Sequence, residues 1–375
     1  MSALSASSSS TPLAPDSKAS ARAASPRSAE SAHTRNRTKA RISLLLAVTA
    51  LCHPGCYLSH VACGQMRLLQ AREPIEKLAA DPETPAQLRQ QLALVEEVRR
   101  FAAELGLSVD GNYTSYVAWP GDRIVTTVVA TEPGAVEPAG FWFPLLGTLP
   151  YKGFFDAERA EAEAQRLRDD DLDVCVVAVP AYSTLGWFDD PVTGPMLRSG
   201  EGRLVETLLH ELVHATAYVS DEADFNEGVA TFIGEEGSAR FYAQRGDPAA
   251  AAQRRQEVLD GRRYDAALLA FRERVESVYA EAAAGPAREQ QRALAERQAR
   301  VEIAALPFET LDSQELAQAA RLNDACLALA ATYTADLPDF ERALADEGDD
   351  LPAFVARFRA AAESEDPRES LLAVR

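Results

Sequence analysis

Residues Leu204–Val219 read LVETLLHELVHATAYV, and the fold is built outward from this stretch. Leu204, Val205, Leu208, Leu209, Leu212 and Val213 recur at three- and four-residue intervals, the pattern of one apolar face on an α-helix. On that helix His210 and His214 lie one turn apart, so both imidazoles leave the same side and can reach one ion. Zinc accepts such nitrogens at about 2.0–2.1 Å and, in a catalytic site, keeps one tetrahedral position for water. Glu211 stands beside the first histidine, placed to take a proton from a water whose pKa the metal lowers to about 7. Beyond residue 63 these are the only two histidines in the chain, so their spacing is not one choice among many. The plainer alternative is a pair of hydrogen-bonded helix histidines without metal.

The following stretch, DFNEGVATFIGEEG (Asp224–Gly237), reads as a second helix, with Asp224 or Asn226 as its N-cap. Glu227 falls in its first turn, thirteen positions past His214. A short turn over Ser220–Phe225 would fold the second helix back on the first and bring Glu227 to the ion as third ligand. The competing role is a first-turn glutamate that complements the helix dipole. Glu235 and Glu236 are substitutes for Glu227 on the same helix, and Glu235 could instead support a ligand from behind. A developing oxyanion needs a donor about 3 Å away. Tyr182 is the first candidate for that role and Tyr333 the second; each has a core-edge packing role as its alternative. Asp189 and Asp190 are placed either to meet a substrate amine or to form a turn before Pro191.

Upstream, helical spacing runs from Gly64 to about Leu105, broken over Asp81–Gln87, with Pro85 suited to a helix start. Strands are expected at Tyr113–Ala118, Arg123–Ala130, Gly140–Leu146 and Val174–Val179, with an amphipathic helix over Asp156–Asp169. Val179–Arg198 reads as a long loop. Downstream, Gln244–Leu306 is helical and rich in i,i+4 charge pairs, and two or three more helices follow Ser313. No internal repeat is present. The class is therefore α+β and mostly helical: a small sheet precedes the histidine helix pair, and a helical C-terminal half follows.

The 375-residue chain carries a formal charge of −19. Residues 1–41 hold seven Lys/Arg against Asp16 and Glu30, which leaves −24 on the remainder and excludes a nucleic-acid binder. That head is Ser-, Ala- and Arg-rich and reads as a disordered basic n-region. Residues 42–63 read as a lipoprotein-like export segment, with an apolar run at Ile42–Leu51 and Cys52 or Cys56 as lipid acceptor. The run is about ten residues, half of what a membrane span needs. Residues 64–375 then form a single domain, with a helix-plus-sheet part at 64–203 and a helical, metal-bearing part at 204–375. Cys63, Cys175 and Cys326 match neither a zinc knuckle nor a disulfide scaffold and read as buried free thiols. Attachment to a membrane is expected through lipid, not charge.

HELVHATAYV followed by FNEGVATFIG resembles the gluzincin peptidases, in which a glutamate from the next helix completes a zinc site. YTSYV (Tyr113–Val117), PYKGFFD (Pro150–Asp156), PAYSTLGWFDDPV (Pro180–Val192) and RLNDACLALAATY (Arg321–Tyr333) extend the resemblance to the bacterial family of predicted aminopeptidases. It covers nearly the whole chain after residue 42. The resemblance implies an exported, lipid-anchored or periplasmic zinc peptidase acting on peptides, with His210, His214 and Glu227 on the metal and Glu211 as general base. Two departures stand out. Glu227 follows the second histidine more closely than in most gluzincins, and Thr231 occupies the place where an acidic residue often stands one turn on. The glycine-rich acidic motif that grips a free amine is also missing. The other readings are an amidase of cell-wall peptides and an envelope-anchored protein whose zinc only ties two helices together.

Overall fold

The computed structural model describes residues 57–143, 147–181 and 189–373. Ile42–Leu51, Cys52 and Cys56 lie outside them. The chain divides into two units, Met1–Ser59 and His60–Arg375, and the description below concerns the second.

The helix over Ala223–Gln244 is the centre of the molecule. It packs against the motif helix Glu201–Thr216, the long helix Pro248–Glu281 and three later helices, Asp324–Thr334, Leu337–Asp346 and Leu351–Ala362. A helix wrapped on all sides is buried all round: fifteen of its residues, from Phe225 to Tyr242, are buried, with Asn226, Glu235, Glu236 and Ser238 as the polar ones. Its aromatic side chains meet those of the C-terminal helices: Phe232 lies 5.2 Å from Phe354 and Phe225 6.3 Å from Phe340, ring centre to ring centre. The motif helix buries Leu204, Val205, Leu208, Leu209, Leu212 and Val213, as its spacing predicts, between this helix and Ala86–Glu104. Gly234 allows a close approach of the two helices. A β-carbon there would stand 3.0 Å from the Glu206 carbonyl oxygen and 3.4 Å from Cβ of His210, so any larger residue would push the two helices apart at the first histidine.

Three small sheets replace the single one expected. The largest is antiparallel, in the order Tyr151–Phe154, Val125–Thr131, Asp173–Val179. All seven residues of its central strand are buried, because the helix Ala157–Asp169 and the helix Asp324–Thr334 both pack on this sheet. A second sheet joins Glu73–Pro74, Ser115–Val117 and Val192–Thr193, the last pair parallel. The third is a hairpin of Phe141–Phe143 with Gly147–Leu149, where one strand over Gly140–Leu146 was expected.

Other expectations need correction. Gly64–Leu105 holds parts of three helices, Tyr57–Gln70, Ile75–Ala80 and Ala86–Glu104, with Pro85 at the last one's N-cap. The Val179–Arg198 loop contains a short strand and the helix Gly194–Arg198. Five helices, not two or three, follow Ser313. Cys175 and Cys326 are not free thiols but a disulfide across 151 residues. It ties the edge strand Asp173–Val179 to the helix Asp324–Thr334, where Asp173 Oδ2 also accepts the Asp324 N–H at 2.6 Å. Cys63 is free but exposed, not buried. Among the described residues no helix is long and apolar enough to cross a membrane.

Candidate metal centre

The helix pair brings His210, His214 and Glu227 together. The two Nε2 atoms stand 3.2 Å apart. Oε2 of Glu227 lies 3.2 Å from Nε2 of His210 and 3.5 Å from Nε2 of His214. Three donors about 2.1 Å from one centre at tetrahedral angles would be separated by about 3.4 Å, so the triangle has the size a small divalent ion requires. Among the described residues this is the one group of His, Cys, Asp and Glu with such convergence. His214 is buried and its Nδ1 has no hydrogen-bond partner, so packing and the contacts of Nε2 with His210 and Glu227 set the ring.

The charges follow from the geometry. Burial opposes a proton on His210, but the carboxylates of Glu227, Glu211 and Glu235 outweigh it and the pKa rises above the ordinary value. Burial likewise opposes charge on Glu227, yet the two imidazoles hold its carboxyl well below the usual range. The same attraction favours a proton on His210, with which a metal would compete.

Glu211 is half-buried on the same helix, and its charge is felt at His210, Tyr113 and Tyr333. The Tyr333 ring lies 6.3 Å from that of His210, at 29°. Burial, then Glu227, pushes its phenol well above the ordinary value, so Tyr333 stays a neutral donor beside the triad. Tyr182 lies outside the described residues. Asp190 is buried, with its backbone joined to Asn112 and Tyr113; its charge and that of Asp189 oppose the burial that lowers the pKa of Arg72.

Glu235 and Glu236 are not near the triangle as donors. Glu235 pairs with Arg262 at 2.8 Å, and Glu236 with Arg255 at 2.7 Å and Arg262 at 3.1 Å, all from the long helix. Burial pushes the Glu235 carboxyl up to about 7, against the pull of Arg262.

Neither Asp224 nor Asn226 caps the second helix. The N-cap is Glu222, with no side-chain bond. Asn226 has a different task, which capping rules do not foresee. Its Oδ1 accepts the Val219 N–H at 2.9 Å, while its Nδ2 donates to the carbonyls of Val219 at 2.7 Å and Glu222 at 2.8 Å. The amide thus clasps the connection between the two helices one residue before Glu227. Asn226→Ala leaves the part-buried N–H and carbonyl of Val219 without these partners, while the Glu222 carbonyl still accepts the backbone N–H of residue 226. It is expected to lower stability by about 2–3 kcal/mol and metal affinity by about 10–100-fold, read by denaturant unfolding and by competition with a chelator.

The class is now defined: an α+β, mostly helical protein that carries a His–Glu…His…Glu constellation on two packed helices. The chain belongs to the family whose description is "Putative aminopeptidase", with residues 56–372 matching the family model, and so to the peptide hydrolases. No curated protein and no solved structure gives a significant match.

Proposed function

We propose that the protein is a zinc-dependent peptidase in which His210, His214 and Glu227 hold the metal. The observation that carries this reading is the donor triangle, whose edges of 3.2, 3.2 and 3.5 Å suit one tetrahedral ion, in a chain of a peptidase family. Zinc, when bound, supplies an acidified water and a Lewis acid for the scissile carbonyl. The chain's own groups do the rest. Glu211 takes the proton from the attacking water and returns it to the leaving amine. Tyr333, neutral and beside His210, donates to the oxygen that gains charge. Tyr182 is the other candidate for that donation.

The N-terminal segment fits export to the cell envelope with lipid on Cys52 or Cys56, and the Cys175–Cys326 bond fits an oxidising compartment. Zinc analysis of the purified chain, with a peptide panel carrying free and blocked N-termini, tests the proposal. The expected result is about one zinc per chain and metal-dependent cleavage that needs a free N-terminus. Cleavage of blocked peptides would point to an endopeptidase. Zinc with no cleavage of any peptide would leave a structural metal and overturn the reading.

A further inference from the structure

The strand Asp173–Val179 ends its sheet, so one of its edges has no partner strand. The register decides which groups lie there. Thr131 bridges to Pro138 on the side away from this strand, where the Ala139 N–H takes the Ala130 carbonyl at 2.7 Å. Even-numbered residues of Val125–Thr131 therefore point away from Asp173–Val179. Their partners across the ladder, Val174, Val176 and Ala178, turn both backbone groups to the open edge.

Two side-chain bonds agree. The Val174 carbonyl accepts Asn323 Nδ2 at 2.8 Å, and the Val176 carbonyl accepts Arg321 Nη1. Beyond them the Val176 N–H and both backbone groups of Ala178, an exposed residue, have no partner among the described residues.

Against this edge lies a cleft of about 440 Å³, lined by Val174 and Val176 with three arginines, Arg168, Arg300 and Arg321, and one carboxylate, Glu296. An excess of positive charge stands out on a body of net −24. Arg300 is spent on Glu296 and on the Ala317 carbonyl, and Arg168 gives Nη1 to Glu161 of its own helix. Arg321 differs. Among the described residues no carboxylate pairs with it, and its bond to Val176 uses one of five N–H groups. Its free fork suits a carboxylate.

We propose that this edge is a docking site for an extended peptide segment bearing carboxylates, which adds as a further strand beside Val176–Ala178 and sets one carboxylate on Arg321. Main-chain bonds to a free sheet edge supply affinity, and alternate side chains supply selectivity. A peptide fits better than a small anion because the Ala178 carbonyl needs a donor as much as the two N–H groups need acceptors. The site stands apart from the metal centre. Cys326 borders the cleft, whereas Tyr333 beside His210 is seven residues further along the helix, about 10 Å on.

The probe is the hexapeptide Glu-Thr-Glu-Val-Glu-Thr, blocked at both ends, with binding to the full chain measured by calorimetry. Replacing its glutamates by glutamine should weaken binding about tenfold. N-methylation at alternate residues is made in both phases. One phase should weaken binding at least about tenfold and the other leave it within about threefold, since successive amides of a strand face opposite sides. Arg321→Ala should lose about tenfold, and Ala178→Pro, which removes an outward N–H alone, about fivefold. Both variants should cleave a tripeptide as the parent does. Equal binding of the two N-methylated peptides, or full displacement by inorganic phosphate at matched ionic strength, would make the cleft a plain anion site and overturn the proposal. So would a hexapeptide that does not bind. These ligand-side results need no variant to fold, and they leave the zinc reading, which the metal content of the parent decides, untouched.

Discussion

Glu211→Gln is expected to keep the zinc content of the parent and to lose at least about a thousandfold in kcat, within the range general-base catalysis supplies. Glutamine has the same shape, keeps a hydrogen-bonding end and suits a helix as well as glutamate, so the motif helix should form unchanged. What disappears is the only function the amide cannot serve, acceptance of a proton. Glu211 is not part of the donor triangle, which uses Nε2 of both histidines and Oε2 of Glu227, so metal affinity should change little. The parallel variant Glu227→Gln separates the two roles, because it should lose metal and activity together. A Glu211→Gln protein that retains more than about a tenth of the parent's kcat, with zinc bound, would place the general base elsewhere.

The second large effect concerns the bridge between Cys175 and Cys326. In the chain-entropy account, a cross-link across 151 residues restricts the unfolded chain by about 5 kcal/mol. The paired Cys175→Ser, Cys326→Ser variant should therefore lose most of that, read as a lower denaturant midpoint that reducing agent no longer shifts. Reductant added to the parent should lower its midpoint to match. The folded junction itself should persist without the bridge, since Asn323 Nδ2 holds the Val174 carbonyl at 2.8 Å and Asp173 Oδ2 holds the Asp324 N–H at 2.6 Å there, so the loss reads out the freed unfolded chain. The helix beyond the bridge carries Tyr333 to His210, so activity at temperatures near the new midpoint should fall before the motif helix unfolds. An unfolding free energy that falls by less than about 1 kcal/mol would mean that the bridge restricts the unfolded chain far less than its span predicts.

The motif helix was legible because its information is local. A four-residue spacing fixes two imidazoles on one face whatever surrounds them, and a short connection brings the next helix back within reach. Glu227 could thus be placed from sequence. Asn226 could not, because an asparagine in a first turn looks like a cap, and only the folded connection shows it bonded to Val219 and Glu222. Glu235 and Glu236 look equivalent to Glu227 along the chain. What separates them is the direction each faces: the long helix contributes Arg255 and Arg262 to their side. The disulfide joins residues so distant that spacing carries no signal. The strand Val192–Thr193 is two residues long and reads as loop until its partner Ser115–Val117 is known. Tyr113 has a left-handed backbone, φ 60°, with no signature in the sequence, since tyrosine is among the residues least expected there.

The enclosure of the Ala223–Gln244 helix has a consequence for how such a protein can diversify. Nearly every position on it touches a neighbouring element, so drift there must be matched by compensating changes in several partners at once. Glu227 is thereby carried on a segment whose neighbours constrain it on several sides. New substrate preferences must come instead from the periphery, such as the hairpin whose Trp142 is 72 % exposed, where a substitution disturbs no second layer.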